Sequence, residues 1–320
     1  MEILIREIDE KIEKKLKELS LKPEISPQEF SKIHKFGKHR YFSSCLTEKN
    51  ERVSFYSRLH NNLDAKEKFI REISFLKEIQ KSKFEIKKSI PKILDYGIEK
   101  DFEYLLREYI TAPPLGKSRN ITHPLSKKNL DKLIKIIFEI SKIKPKKLNF
   151  KLKKFNSKNY LVPQIYEGLV KKNIISKELY QKMTKLIKNN FSLLEKESHC
   201  FCHGDLNLGN ILSDQKKFWI IDWELIHLNN FAYDIGYLVA HLWEAKRSFR
   251  QKLMEFYLKK LPTKNLLKFK KLLPVVVSYL SFGGIELRKE DEKKEIFQKR
   301  RKFYVELLRN CLNFNKLIKV

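Results

Sequence analysis

The stretch FCHGDLNLGNIL (residues 201–212), followed by FWIIDWE (218–224), decides how this chain is read. Asp205 and Asn210 stand five positions apart across a short loop, and Asp222 closes the apolar run FWII. The polar residues SDQKK between NIL and FWII read as a turn, so the two apolar runs are expected to pair as a hairpin. That pairing would return Asp222 to the same end as Asp205 and Asn210. The combination suits phosphoryl transfer, which asks the protein for a carboxylate at the attacking hydroxyl, oxygen ligands for Mg²⁺ and cations over the phosphates. In that chemistry Asp205 aligns the hydroxyl or takes its proton, while Asn210 and Asp222 offer hard oxygens to Mg²⁺. Cys200 and Cys202 form a C-x-C beside the loop, but no second Cys/His pair stands at zinc-finger spacing. They are expected to pack in the strand before it.

Outward from this stretch the chain changes character. Ile5, Ile8, Ile12, Leu16 and Leu19 recur at helical spacing and predict an amphipathic N-terminal helix, stopped by the prolines of LKPEISP. HRYFSSCLTEKNERVSFYSRL reads as two strands joined by the polar TEKNE, and Phe69, Ile73, Leu76 and Ile79 then mark a helix. IPKILDYGIEKDFEYLLREYI reads as two further strands around Gly97–Asp101. Beyond TAPPLG the sequence is mainly helical, with Ser126 and Ser176 as N-caps. The expected organisation is α+β: an N-terminal helix (1–22), a small lobe of antiparallel sheet plus helix (23–111), and a large helical lobe (112–320).

At 42% hydrophobic residues the chain has the means to build a real core, and 9 Gly and 10 Pro leave little for flexible linkers. The net charge of +29 comes from 68 Lys+Arg against 39 Asp+Glu. Most of it lies in helices that alternate acid and base, and KPKKLNFKLKKF (144–155) is the one-sided block. No arginine-rich or aromatic-interleaved motif accompanies the charge, so nucleic acid is not an expected partner. The charged N-terminus does not read as a signal peptide, and LLPVVVSYLSFGGI is expected to be too short and too broken to span a bilayer. A cytoplasmic protein is expected, and nothing in the sequence sets its oligomeric state.

The pattern H-x-D-x-x-x-x-N followed by I-D is that of the protein-kinase-like superfamily. Here HGDLNLGNIL, IIDWE and AYDIG resemble its small-molecule branch, the aminoglycoside phosphotransferase and choline kinase families. The resemblance spans about residues 30–240 and is most specific over 203–236. It implies a bilobal protein-kinase-like fold using ATP or GTP and Mg²⁺. It also implies Arg58, in ERVSFYSRL, as the phosphate-binding cation and Glu72, in FIREISFL, as its partner. Glu108, Tyr109 and Ile110 would form the hinge at the adenine, and Gly37 the loop over the phosphates. By the same resemblance His203 and Asp234 support the loop, and Trp223 and Glu224 border the site, either as substrate contacts or with Trp223 packed beneath the metal loop.

The function so implied is a Mg-dependent phosphotransferase with Asp205 as base and a small-molecule hydroxyl as acceptor. The alternatives are a nucleotide-binding pseudokinase, suggested by the single glycine of HKFGKHRYF and by Arg58, and a RIO-like atypical kinase associated with RNA or the ribosome.

Overall fold

The N-terminal helix α1 (Glu2–Glu18) turns Ile8, Ile12 and Leu16 to one side, and this apolar stripe meets one face of a five-stranded sheet. The computed structural model describes the chain apart from residues 1, 34–39, 60–62, 118, 122–123, 151, 162, 287–292 and 320. Gly37 lies outside the described residues. The sheet runs β1-β2-β3-β5-β4, built from β1 (Lys22–Pro23), β2 (Arg40–Leu46), β3 (Arg52–Leu59), β4 (Ile93–Ile98) and β5 (Phe102–Glu108). Each neighbouring pair is antiparallel.

The two-residue period of a strand sorts the side chains. Tyr41 and Cys45 of β2, Val53 and Phe55 of β3, and Phe102, Tyr104 and Leu106 of β5 form one core with α1. Alternation then sends Arg58, Glu103 and Arg107 to the opposite face, because β3 and β5 pair Arg58 with Glu103 and Ser54 with Arg107. The TEKNE turn is present, with Asn50 in the left-handed region at φ 59°. So is the helix of Phe69–Ile79, as α3 (Leu63–Lys81).

Among the elements not expected from the sequence, one lies beside the sheet. Helix α2 (Pro27–Ile33) follows directly on the proline-broken segment. Its start is a capping box: Ser26 Oγ accepts from Glu29 N at 3.2 Å, and Glu29 Oε2 accepts from Ser26 N at 3.0 Å. With Pro27 at the first helical position, these residues carried a helix-start signal that the two prolines masked.

These elements, through Ala112, form one compact unit that also takes in Trp219–Glu224. The second unit comprises Pro113–Phe218 and Leu225–Val320. It begins with the short pair β6 (Gly116–Lys117) and β7 (Asn120–Ile121). Next come α4 (Lys127–Ser141), α5 (Pro163–Lys171), α6 (Lys177–Lys188) and α7 (Phe191–Glu197). Ser126 and Ser176 cap α4 and α6, each hydroxyl accepting a main-chain N–H at 3.1 Å. Strand β8 (Cys200–Cys202) leads into the loop of interest, and β9 (Ile211–Ser213) and β10 (Phe218–Ile220) form a two-stranded sheet. After β11 (His227–Asn229) come α8 (Tyr233–His241), α9 (Arg247–Lys260), α10 (Thr263–Glu286), α11 (Lys294–Asn310) and α12 (Phe314–Leu317). α10 contains LLPVVVSYLSFGGI, with Pro274 inside it, and is the central helix of this unit, packed against α8 and α11. Among the described residues no helix is long and apolar enough to cross a membrane.

Candidate active site

In the second unit the loop is anchored at both ends before it turns. β8 pairs antiparallel with β11, Cys202 opposite His227 and Phe201 opposite Leu228. The strand thiols of Cys200 and Cys202 are free, and burial pushes both upward, that of Cys200 to about 11. Just past the strand, Gly204 takes φ 88°, and a Cβ there would lie 2.1 Å from the Leu225 carbonyl oxygen. Only glycine meets both conditions. Asp234, in the first turn of α8, accepts from His203 N at 3.0 Å and from Gly204 N at 3.2 Å. Burial raises its pKa to about 6, against the opposing pull of those two N–H groups. His203 is fully buried, and its Nδ1 accepts from Asp205 N at 3.2 Å, so that nitrogen carries no proton.

Three side chains converge on the Asp205 carboxylate. Asn207 Nδ2 donates to Oδ1 at 3.0 Å and Asn210 Nδ2 to Oδ2 at 3.1 Å. The Tyr237 hydroxyl donates to Oδ1 at 2.5 Å. Asn210 Nδ2 also reaches the Asp205 carbonyl at 2.9 Å, and Asn207 Oδ1 accepts from Gly209 N at 2.8 Å, tying the turn together. Asn207 and Tyr237 contact the Asp205 carboxylate and are not among the candidates read from the sequence. Tyr237 lies three residues after Asp234, and helical spacing puts the two on one face, which was the available signal.

In the first unit, α3 fixes the segment that ends in Asp222, Trp223 and Glu224. Asp222 itself is left-handed, at φ 66°; such a conformation is uncommon for a residue with a Cβ and concentrates at functional sites. Trp223 N donates to Glu72 Oε1 at 3.0 Å, and the Trp223 ring, 1% exposed, lies 4.6 Å from that of Phe75. Trp223 is therefore placed beneath the segment rather than at its surface. Glu224 meets the guanidinium of Arg58, which also pairs with Glu103 at 2.5 Å. Burial works against the Arg58 charge, yet Glu103, Tyr56 and Glu224 hold its pKa above the ordinary value. The carboxyl of Glu72 is pushed up by burial, and the cation it feels most strongly is Arg107, ahead of Arg58. Arg107, on the same sheet face as Arg58, is coupled in turn to Glu72 and Asp222; the sequence reading had passed over it.

At the strand end, Glu108 Oε2 accepts from Lys92 N at 3.2 Å, and Arg52 sits 5.2 Å from the Tyr109 ring centre. Ile110 is half-buried just past β5. Among the described residues no cluster of three or more His, Cys, Asp or Glu is disposed to hold a metal ion.

The sequence model of the phosphotransferase enzyme family matches residues 34–266. No curated protein matches the chain. Among solved structures, the GDP and kanamycin complex of APH(2")-IIia is similar at 17% identity and a TM-score of 0.57, over 87% of this chain and 91% of that one. A choline/ethanolamine kinase family protein from Mesorhizobium loti gives 15% identity and a TM-score of 0.52, over 85% and 88%. The macrolide 2'-phosphotransferase MphH from Brachybacterium faecium gives 12% and 0.51, over 87% and 90%. At such identities the likeness establishes the fold, which is α+β and protein-kinase-like.

Proposed function

The chain belongs to the phosphotransferase enzyme family, and from that premise we propose that it moves the γ-phosphate of ATP or GTP to a hydroxyl of a small molecule, with Mg²⁺ required. The observation that carries this reading is the bonded pair Asp205–Asn210. A carboxylate only accepts hydrogen bonds, so the amide nitrogen of Asn210 must face Asp205 and its Oδ1 must face away. One interaction thus aims a base and frees a hard oxygen donor. An amide oxygen from Asn210 and a carboxylate from Asp222 suit Mg²⁺, which takes few protein ligands and fills the rest with phosphate oxygens and water. When bound, that ion would neutralise charge on the transferring phosphoryl group.

The remaining roles follow the same reading. Asp205 accepts the proton of the attacking hydroxyl. His203 and Asp234 hold the main chain on either side of Gly204. Arg58 supplies positive charge for the phosphates, and Glu72 fixes the Asp222 segment through Trp223 N. The main chain of Glu108, Tyr109 and Ile110 meets the nucleobase of the nucleotide.

A second reading, a nucleotide-binding protein without turnover, draws on one observation: Arg58 is already engaged by Glu103 and Glu224. The two separate on Asp205→Ala. An enzyme should lose turnover by about 10³-fold or more while Mg-nucleotide binding, followed by thermal shift, is kept. The acceptor would first be found by a coupled screen over aminoglycosides, choline, ethanolamine, thiamine, homoserine and sugars. Unchanged phosphorylation by the variant would sink the mechanism, and nucleotide binding without turnover on any acceptor would favour the second reading.

A further inference from the structure

The helix that braces the loop also reaches the carboxylate within it. α8 places Asp234 under the main chain of His203 and Gly204, and three residues later Tyr237 donates to Asp205 Oδ1 at 2.5 Å. The phenol is itself held in place. Its ring stacks on that of His241, with centroids 4.0 Å apart and planes 19° from parallel. His241 Nδ1 lies 2.8 Å from the Tyr237 carbonyl oxygen, which can only accept, so that nitrogen carries a proton.

An ionised carboxylate offers roughly four acceptor positions, two on each oxygen. Among the described residues, Tyr237 and Asn207 fill both positions on Oδ1, and Asn210 fills one on Oδ2. A single position remains, and it is on Oδ2. We propose that Tyr237 is a positioning residue that closes Oδ1, leaving Oδ2 as the one oxygen to which an acceptor hydroxyl can donate, and so restricts transfer to a single acceptor geometry. The inference rests on the reading of Asp205 as the base. In the transfer step, the acceptor O–H proton passes to Oδ2 as the acceptor oxygen bonds to the γ-phosphorus. The bond from that phosphorus to the β,γ-bridging oxygen breaks, and its electron pair leaves on the nucleoside diphosphate.

The test is Tyr237→Phe in the full chain, which removes the hydroxyl and keeps the stacked ring. Transfer from Mg·ATP and from Mg·GTP is followed with glycerol as acceptor probe and with water, separating glycerol phosphate from free phosphate. The expected result is a fall of about tenfold in kcat, a nucleotide KM within about twofold of wild type, and a larger share of phosphate lost to water. A merely structural role would not change the product split. An independent measurement is the thermal cycle of Tyr237→Phe, Asp205→Asn and the double variant, where direct contact requires losses in Tm that fail to add. If Asp205→Ala is inactive while Tyr237→Phe matches wild type in kcat and product split, the inference falls and the assignment of the base stands. Additive losses in Tm would also overturn it. If wild type and Asp205→Ala release phosphate equally, the assignment of the base fails and takes the inference with it.

Discussion

The carboxylates of the two units are held by different chemistry. In the second unit Asp205 and Asp234 meet neutral donors: main-chain N–H groups, two amides and a phenol. In the first, Glu103 and Glu224 meet the guanidinium of Arg58, and Glu72 feels that of Arg107. Neutral donors fix the direction of a carboxylate without cancelling its charge, which suits a group that must accept a proton from a particular side. Ion pairs cancel charge and make burial tolerable, which suits groups that hold a sheet face together. Removing one partner should therefore cost most where charges are paired, and should alter geometry or proton balance most where they are not.

The largest expected effect is Arg58→Ala. Glu103 is 0% exposed and would be left as a buried carboxylate without that guanidinium. Loss of one partner from a buried pair typically costs about 3–5 kcal/mol. Denaturant unfolding measures this, and replacing Arg58 by Met together with Glu103 by Leu should recover most of the loss. A cost below about 1 kcal/mol would mean that the ion pairs do not anchor this face.

Gly204→Ala should follow, at about 3–4 kcal/mol, combining a left-handed backbone with a clash against the Leu225 main chain. The same change should abolish turnover, since Asp205 is the next residue. Wild-type stability in this variant would show that the loop can shift, and with it that the neutral-donor network is not rigid.

Asp234 separates the two kinds of site by pH. Burial lifts its pKa to about 6, above the value of an unfolded chain. The folded state therefore binds the extra proton between about pH 4 and 6. The stabilising contribution is complete below the unfolded value and is lost as pH rises through the folded one. At pH 7 the ionised form costs about 3 kcal/mol relative to the unfolded reference. Asp234→Asn has no such proton, so wild type should gain about 3 kcal/mol on the variant between pH 7 and pH 4. Parallel stability curves would remove burial as the cause.

The same contrast accounts for what could be read in the sequence. The loop was legible because most of its partners lie within residues 203–237 and the spacing of His203, Asp205 and Asn210 is itself the geometry. The strands and α3 were legible from alternation and helical period. The partners of Arg58 were not, because Glu103 and Glu224 are 45 and 166 residues away and are selected by strand register and chain crossing. Nothing local distinguishes Arg107 in YLLREYI from any other strand arginine. Tyr237 and the capping box at Ser26 are different, since their signals were present at short range and were outweighed by the motif and by the prolines.

The smallest effect is expected at Glu72, where the two modes of holding a carboxylate meet in one residue. It sits in the field of Arg107 but makes its direct bond to a neutral donor, Trp223 N. Burial already disfavours its charge, so Glu72→Gln removes a charge the site opposes and keeps an oxygen to accept the same N–H. Stability should change by less than about 1 kcal/mol, with Trp223 fluorescence unaltered because its ring stays on Phe75. If the variant instead lost several kcal/mol, the attraction between Glu72 and Arg107 would outweigh the Trp223 bond. Glu72 would then belong with Glu103 and Glu224, and the line between the two chemistries would fall at the boundary between the units rather than within the first.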